Sequence, residues 1–222
     1  MPHVEQLAAG EQTARVHLRI PDGATTGVVV LHAWWGLNDD AIAYADRLAD
    51  AGYAVAAPDM FEGQVATTRE DAERLSQEHE SGGVDAIVLA AVDLLAERLG
   101  TGARLAVVGF SFGAGYAIWA PSERQSLAAS VVYYGAWAGP FLTQSTAALL
   151  GHFAETDEFT SDDEIREMEE AFRAAGREAT VHRYPGTGHW FAEPSRTDAY
   201  DRDAAELAFS RTLEFLEAKL SS

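Results

Sequence analysis

Apolar residues along this chain alternate between short continuous runs and longer segments in which they recur every three or four positions. The short runs are Arg15–Ile20, Gly27–His32, Tyr53–Ala57, Arg104–Gly109, Ala128–Tyr134, Ala147–Phe153 and Glu178–Tyr184. Most are unbroken stretches of Val, Ala and Leu, the pattern of strands covered by helices on both faces. In the longer segments Ile165, Met168, Phe172 and Ala175 share one helical face behind a capping box of Ser161 and Glu164. Phe209, Leu213, Leu216 and Leu220 mark a C-terminal helix in the same way. Asn38 is placed to cap a helix running to about Ala51, with Gly52 at its C-terminal end. This alternation predicts an α/β fold with a mostly parallel sheet and right-handed crossovers. In such folds the reacting groups gather on loops at the carboxyl ends of the strands, which supplies a positional test for every candidate.

One candidate passes it at once. Leu105-Ala106-Val107-Val108 leads into Gly109-Phe110-Ser111-Phe112-Gly113, a strand followed by G-x-S-x-G and then a helix-length segment. A serine on a sharp strand-to-helix turn needs small residues two before and two after it, because the backbone is crowded there. The following helix points free amides and its positive dipole end at the same place. A bare G-x-S-x-G arises often by chance; strand, turn and helix in register make Ser111 a nucleophile candidate.

A serine nucleophile needs a base and a group to orient it. Seven histidines compete. His189 lies in Pro185-Gly186-Thr187-Gly188-His189, a turn-rich stretch just past the strand that ends at Tyr184. His182 sits inside that strand and His152 near the end of another. His3, His17 and His79 lie off the carboxyl edge, and His32 ends a strand on the first long loop. The acid should follow the strand Ala147–Phe153, where Glu155, Asp157, Glu158, Asp162 and Asp163 all fall. Asp162 and Asp163 read as first-turn helix acids. Asp157 is the preferred acid, and Glu155 is the alternative.

Composition narrows the function classes. The 222 residues suit one domain spanning 1–222, and 47% hydrophobic content is ordinary for a globular chain. With no cysteine, disulfides, thiolate catalysis and thiolate metal sites are excluded. The charge is −19, from 35 acidic and 16 basic residues, and Lys219 is the only lysine. No cationic cluster exists to displace counterions from nucleic acid or to bind an anionic membrane. No apolar run approaches the about 18 residues of a membrane span, and Met1-Pro2-His3-Val4-Glu5-Gln6 lacks a signal-peptide pattern. The expected location is the cytoplasm, as a monomer or small homo-oligomer. No metal or cofactor is implied, and no H-E-x-x-H spacing occurs.

These residues together carry a resemblance to the dienelactone hydrolase family, within the α/β-hydrolases. Val30-Leu31-His32-Ala33-Trp34-Trp35-Gly36-Leu37-Asn38 resembles the family's "HE-x-x-GLN" segment, and Ala57-Pro58-Asp59-Met60-Phe61 its "PDLY"-type strand end. Tyr133-Tyr134-Gly135 and Gly188-His189-Trp190-Phe191 are similar to further blocks, in the family's order from about Val28 to Leu216. The resemblance implies the α/β-hydrolase fold, a Ser111–Asp157–His189 triad and an oxyanion hole from the amides of Trp34 and Phe112. It implies Arg69, Trp35 and Glu193 as candidate substrate contacts.

Three positions depart from the family. Its nucleophile is a cysteine where this chain has Ser111. Its oxyanion-segment glutamate falls on Ala33. Of two arginines held to bind the substrate carboxylate, one maps to Arg69 and the other falls on Glu193. These departures argue against dienelactone itself and predict a preference for neutral esters over carboxylate-bearing ones. The expected activity is hydrolysis of a carboxylic ester or lactone through an acyl-enzyme. The alternatives are a non-catalytic hydrolase-like binding protein, or a thioesterase or peptidase of the same fold.

Overall fold

The structure, a computed structural model, describes residues 3–80 and 83–221; Met1 and Pro2 of the N-terminal segment read above lie outside them. The described strands form one eight-stranded sheet in the order β1-β2-β4-β3-β5-β6-β7-β8. In chain order these are β1 (His3–Ala9), β2 (Gln12–Arg19), β3 (Thr26–Leu31), β4 (Ala54–Pro58), β5 (Arg104–Phe110), β6 (Leu127–Tyr133), β7 (Ala148–Thr156) and β8 (Ala179–Gly188). β1 pairs antiparallel with β2, and β2 antiparallel with β4; the other six strands run parallel to one another. Helices α1 (Asp39–Asp50), α2 (Arg69–Glu80), α3 (Val84–Leu99), α4 (Phe112–Glu123), α5 (Asp162–Ala174) and α6 (Arg202–Leu220) fill the connections.

All seven predicted strands exist, with ends shifted by a few residues. The eighth, β1, was not expected. Its sequence mixes polar and apolar residues because it forms an edge: Val4 is exposed while Leu7 and Ala9 are buried. It exists through pairing with β2 across the turn at Gly10, whose φ of +63° suits glycine. The parallel strands match the continuous apolar reading; β3, β4 and β5 are buried almost throughout.

The helix signals also act as read. The Asn38 side chain accepts the Ala41 N–H at 3.1 Å, capping α1. The Ser161 Oγ accepts the Glu164 N–H while Glu164 accepts the Ser161 N–H at 2.8 Å, closing the capping box of α5. Helices α1 and α6 pack together on one face, where Arg47 pairs with Glu206 at 2.6 Å and Tyr44 meets Phe209 edge-on. Helices α3 and α4 contact each other against β3, β4, β5 and β6.

The consequence for chemistry lies at the carboxyl edge of the sheet. The residue directly after β3 is His32, after β5 Ser111, after β6 Tyr134, after β7 Asp157 and after β8 His189. Adjacent parallel strands lie about 4.8 Å apart, so such residues end up in one neighbourhood despite their distance in sequence.

Candidate active site

Ser111 sits on the turn between β5 and α4 with φ 48° and ψ −108°, a conformation costly for a non-glycine residue. Its neighbours make the turn possible. A Cβ on Gly109 would collide with the Gly113 carbonyl, and one on Gly113 would stand 2.6 Å from the Leu31 carbonyl oxygen and 2.7 Å from that of His32. The two glycines of the motif are therefore steric requirements of a tight strand–helix junction.

The Ser111 Oγ lies 2.9 Å from His189 Nε2, and His189 Nδ1 lies 2.8 Å from both carboxylate oxygens of Asp157. An ionised carboxylate has only lone pairs to offer, so Nδ1 carries the ring proton and Nε2 is left to accept from the serine hydroxyl. The Asp157 and His189 side chains are only 3% and 4% exposed, which shields the pair from solvent. Asp157 is itself held in place: its Oδ1 accepts the Phe159 N–H at 2.8 Å and the Thr160 N–H at 3.0 Å. The alternative acid Glu155 is engaged elsewhere, accepting the Gly186 N–H at 2.8 Å from an exposed position.

The two amides expected to serve as oxyanion donors sit at the start of α4 and on the loop after β3. Phe112 opens α4, so its N–H has no acceptor within the helix. Among the described residues no backbone carbonyl accepts from the Trp34 N–H. His32 orients this second amide. The ring is fully buried, its Nε2 accepts the Met60 N–H at 3.0 Å, and its Nδ1 therefore donates to the Ala33 carbonyl at 2.7 Å. That bond fixes the peptide between Ala33 and Trp34, whose trans geometry turns the Trp34 N–H away from the imidazole. Burial pushes the His32 pKa down to about 4, so the ring stays neutral and can accept at one nitrogen while donating at the other.

A cleft of about 540 Å³ opens over Ser111 and His189. Its walls include Phe112, Tyr116, Tyr134, Trp137 and Phe159, and among the described residues no Asp, Glu, Lys or Arg lines it. Tyr134 holds a φ of 41° and packs its ring 4.9 Å from the His189 ring; Phe159 lies at 4.7 Å. Sequence reading named Phe112 for its amide and Tyr134 within a family block, and did not single out Tyr116, Trp137 or Phe159. Tyr134 carried the available signal, as the residue just past β6 in the Tyr133-Tyr134-Gly135 block.

The three candidate substrate contacts do not gather there. Arg69 pairs with Glu158 at 2.8 Å and lies over the Trp190 ring at 4.8 Å, lining a neighbouring cleft of about 470 Å³ that shares only His189 with the first. Trp35 is buried among Trp34 and Trp190, with the Arg196 guanidinium 4.0 Å over its ring. Glu193 is buried behind Tyr134, whose hydroxyl donates to it at 2.8 Å. Hydrophobic packing draws Trp35 inward, and the tyrosine draws Glu193; neither lines the cleft over Ser111. The expected repulsion of substrate carboxylates by Glu193 therefore lacks its geometric basis. Burial instead raises the Glu193 pKa to about 8, which leaves the group protonated at neutral pH.

A mostly parallel sheet with helices on both faces, carrying a serine on the strained turn after β5, defines an α/β-hydrolase. The profile of the dienelactone hydrolase family matches residues 14–220, and the chain belongs to that family. It is 31% identical to Protein usf of Aquifex pyrophilus over 220 residues, covering 93% of this chain and 94% of that protein. It is 30% identical to a protein of Aquifex aeolicus (strain VF5) provisionally named a carboxymethylenebutenolidase, with the same coverage. Among solved structures, a dienelactone-hydrolase-like promiscuous phosphotriesterase from metagenomic libraries superposes with a TM-score of 0.87 at 22% identity, covering 99% of this chain and 98% of that one. At that identity the likeness speaks for the fold alone.

Proposed function

We propose that this protein is a serine hydrolase of carboxylic esters or lactones, with Ser111 as nucleophile, His189 as base and Asp157 as its orienting acid. The observation that carries this reading is the unbroken hydrogen-bonded chain from Ser111 Oγ through His189 to Asp157. His189 Nε2 takes the Ser111 proton as Oγ attacks the acyl carbon, and Asp157 stabilises the imidazolium that forms. The amides of Trp34 and Phe112 hold the resulting oxyanion; one such donor is typically worth about 3–4 kcal/mol in the transition state. As the tetrahedral intermediate collapses, His189 returns the proton to the leaving alkoxide and an acyl-enzyme remains. Water then attacks with His189 again as base, releasing acid and free serine. A lactone follows the same steps, its leaving oxygen staying tethered to the acyl group.

The test is covalent labelling. A fluorophosphonate probe should add one label per chain to the wild type, and Ser111→Ala should lose both label and ester hydrolysis while keeping its thermal unfolding transition. A folded Ser111→Ala protein with undiminished turnover would remove Ser111 from the mechanism.

A further inference from the structure

The walls of the cleft over Ser111 are rich in aromatic residues. Five aromatic residues line it, and among the described residues no Asp, Glu, Lys or Arg does. The closest family-derived cation, Arg69, is taken up by Glu158 and lines the other cleft. A substrate carboxylate entering here would surrender its hydration without a partner, which is strongly unfavourable in an apolar pocket.

Trp137 marks the cleft's outer end. It stands on the loop after β6, 46% exposed, against Phe141 with ring centroids 4.5 Å apart. Gly135 holds this loop down on the elbow: a Cβ there would come 2.6 Å from Ala114 Cβ and 2.8 Å from the Ser111 carbonyl oxygen. Gly115 leaves the helix surface bare beneath the indole, its hypothetical Cβ only 3.9 Å from Trp137 Cε3. Phe159, 42% exposed, forms another wall and packs on His189. Two large rings left open to solvent beside a reactive serine are surface that a flat apolar group would cover.

We propose that this cleft selects uncharged esters or lactones bearing an aromatic ring, and that Trp137 is the specificity-determining residue; the proposal rests on the serine-hydrolase reading above. The ring packs in the cleft against the exposed surfaces of Trp137 and Phe159, beside Phe112 and Tyr116. The ester carbonyl then reaches Ser111 at the inner end.

Matched esters with remote substituents, followed by pH-stat titration, test this without altering carbonyl reactivity. Methyl 3-phenylpropanoate is compared with methyl butanoate, and 2-phenylethyl acetate with butyl acetate, so that either half of the ester can carry the ring. Monomethyl glutarate against methyl pentanoate reports the charge. Wild type should favour a phenyl ester over its aliphatic partner by about tenfold or more in kcat/KM, a tenfold ratio being about 1.4 kcal/mol. It should disfavour monomethyl glutarate by at least as much. Trp137→Ala should bring the phenyl ratio to within about twofold of one, Trp137→Phe should restore most of it, and Leu207→Ala, on exposed α6 surface, should leave it unchanged. Equal rates within both phenyl pairs, a ratio that survives Trp137→Ala, or faster turnover of monomethyl glutarate would overturn the proposal. Calorimetric binding to Ser111→Ala separates the two readings. A phenyl ester that binds about tenfold tighter than its aliphatic partner, while wild type hydrolyses neither, would sink the hydrolase reading and sustain the aromatic cleft. Turnover by wild type without any binding preference would do the reverse.

Discussion

Two carboxyl groups lie close to the imidazole and its wall, and they have different hydrogen-bond partners. Asp157 accepts hydrogen bonds from His189 and from two backbone amides. Glu193 receives one bond from Tyr134, and burial holds its pKa up at about 8. Asp157→Asn puts an amide where Nδ1–H must donate, so the ring is free to take the wrong tautomer. The expected loss in kcat is on the order of 10⁴-fold. Glu155→Gln, which alters only an exposed contact to Gly186, should change kcat by far less. A reversal of these two effects in steady-state kinetics would move the acid to Glu155. For Glu193 the folded pKa lies above the unfolded one near 4.5, so its contribution is fully present below pH 4.5 and is lost as pH rises toward 8. The loss is at most about 1.4 kcal/mol per pH unit. Glu193→Gln can still accept from Tyr134 without ionising. It should melt above wild type at pH 8, with the difference closing on acidification; a Tm gap independent of pH would refute the burial argument.

At the scale of elements, the β5–Ser111–α4 junction shows how packing and chemistry share the same atoms. Gly113 presses α4 against the carbonyls of Leu31 and His32, at the start of the segment that carries the Trp34 amide. Gly113→Ala must push that segment away, because both clashing atoms are backbone. The expected result is a fall in kcat of at least about 100-fold, the scale of losing one oxyanion donor, together with a lower Tm. Gly115 lies two residues further along α4, where the nearest atom to an added Cβ is 3.9 Å away. Gly115→Ala should instead leave Tm unchanged or raise it, since alanine in a helix is favoured by roughly 1 kcal/mol over glycine. Equal melting behaviour of the two variants in a thermal scan would show that the close approach of α4 to β3 is not required.

For the whole molecule, buried ionisable groups set how stability responds to pH. His32 and His152 are fully buried with pKa values lowered by desolvation, His32 to about 4. His152 also ties the sheet to α6: its Nδ1 meets the Tyr184 hydroxyl at 2.7 Å and its Nε2 the Thr212 hydroxyl at 3.0 Å, while Thr212 meets Tyr133 at 3.0 Å. Above pH 6.5 these rings are neutral in both folded and unfolded chains and add no pH dependence. As pH falls from 6.5 toward 4, only the unfolded chain takes up protons at His32, so stability declines. Glu193 acts in the opposite sense from 4.5 to 8. Denaturant titrations should therefore find the wild-type maximum within mildly acidic to neutral pH, and Glu193→Gln should shift that maximum upward. A maximum that stays put in the variant would show that Glu193 does not shape the alkaline side.

How much of this was legible depended on whether a feature is encoded locally. The strand runs, the caps at Asn38 and Ser161, and the strand–G-x-S-x-G–helix junction each depend on residues close together in the chain, so the pattern alone determined them. The choice of His189 and Asp157 followed from position after predicted strands, and the structure brings both to Ser111 because adjacent parallel strands end side by side. Strand β1 was not legible, since an edge strand with one wet face has no continuous apolar run. The fates of Trp35, Glu193 and Arg69 were not legible either. Each was placed by partners remote in sequence: Trp190 and Arg196 for the first, Tyr134 for the second, Glu158 for the third. Local chemistry determined which residues could react. Long-range packing and burial decided which of the others face the substrate, because the direction of a side chain depends on neighbours that only the folded chain supplies.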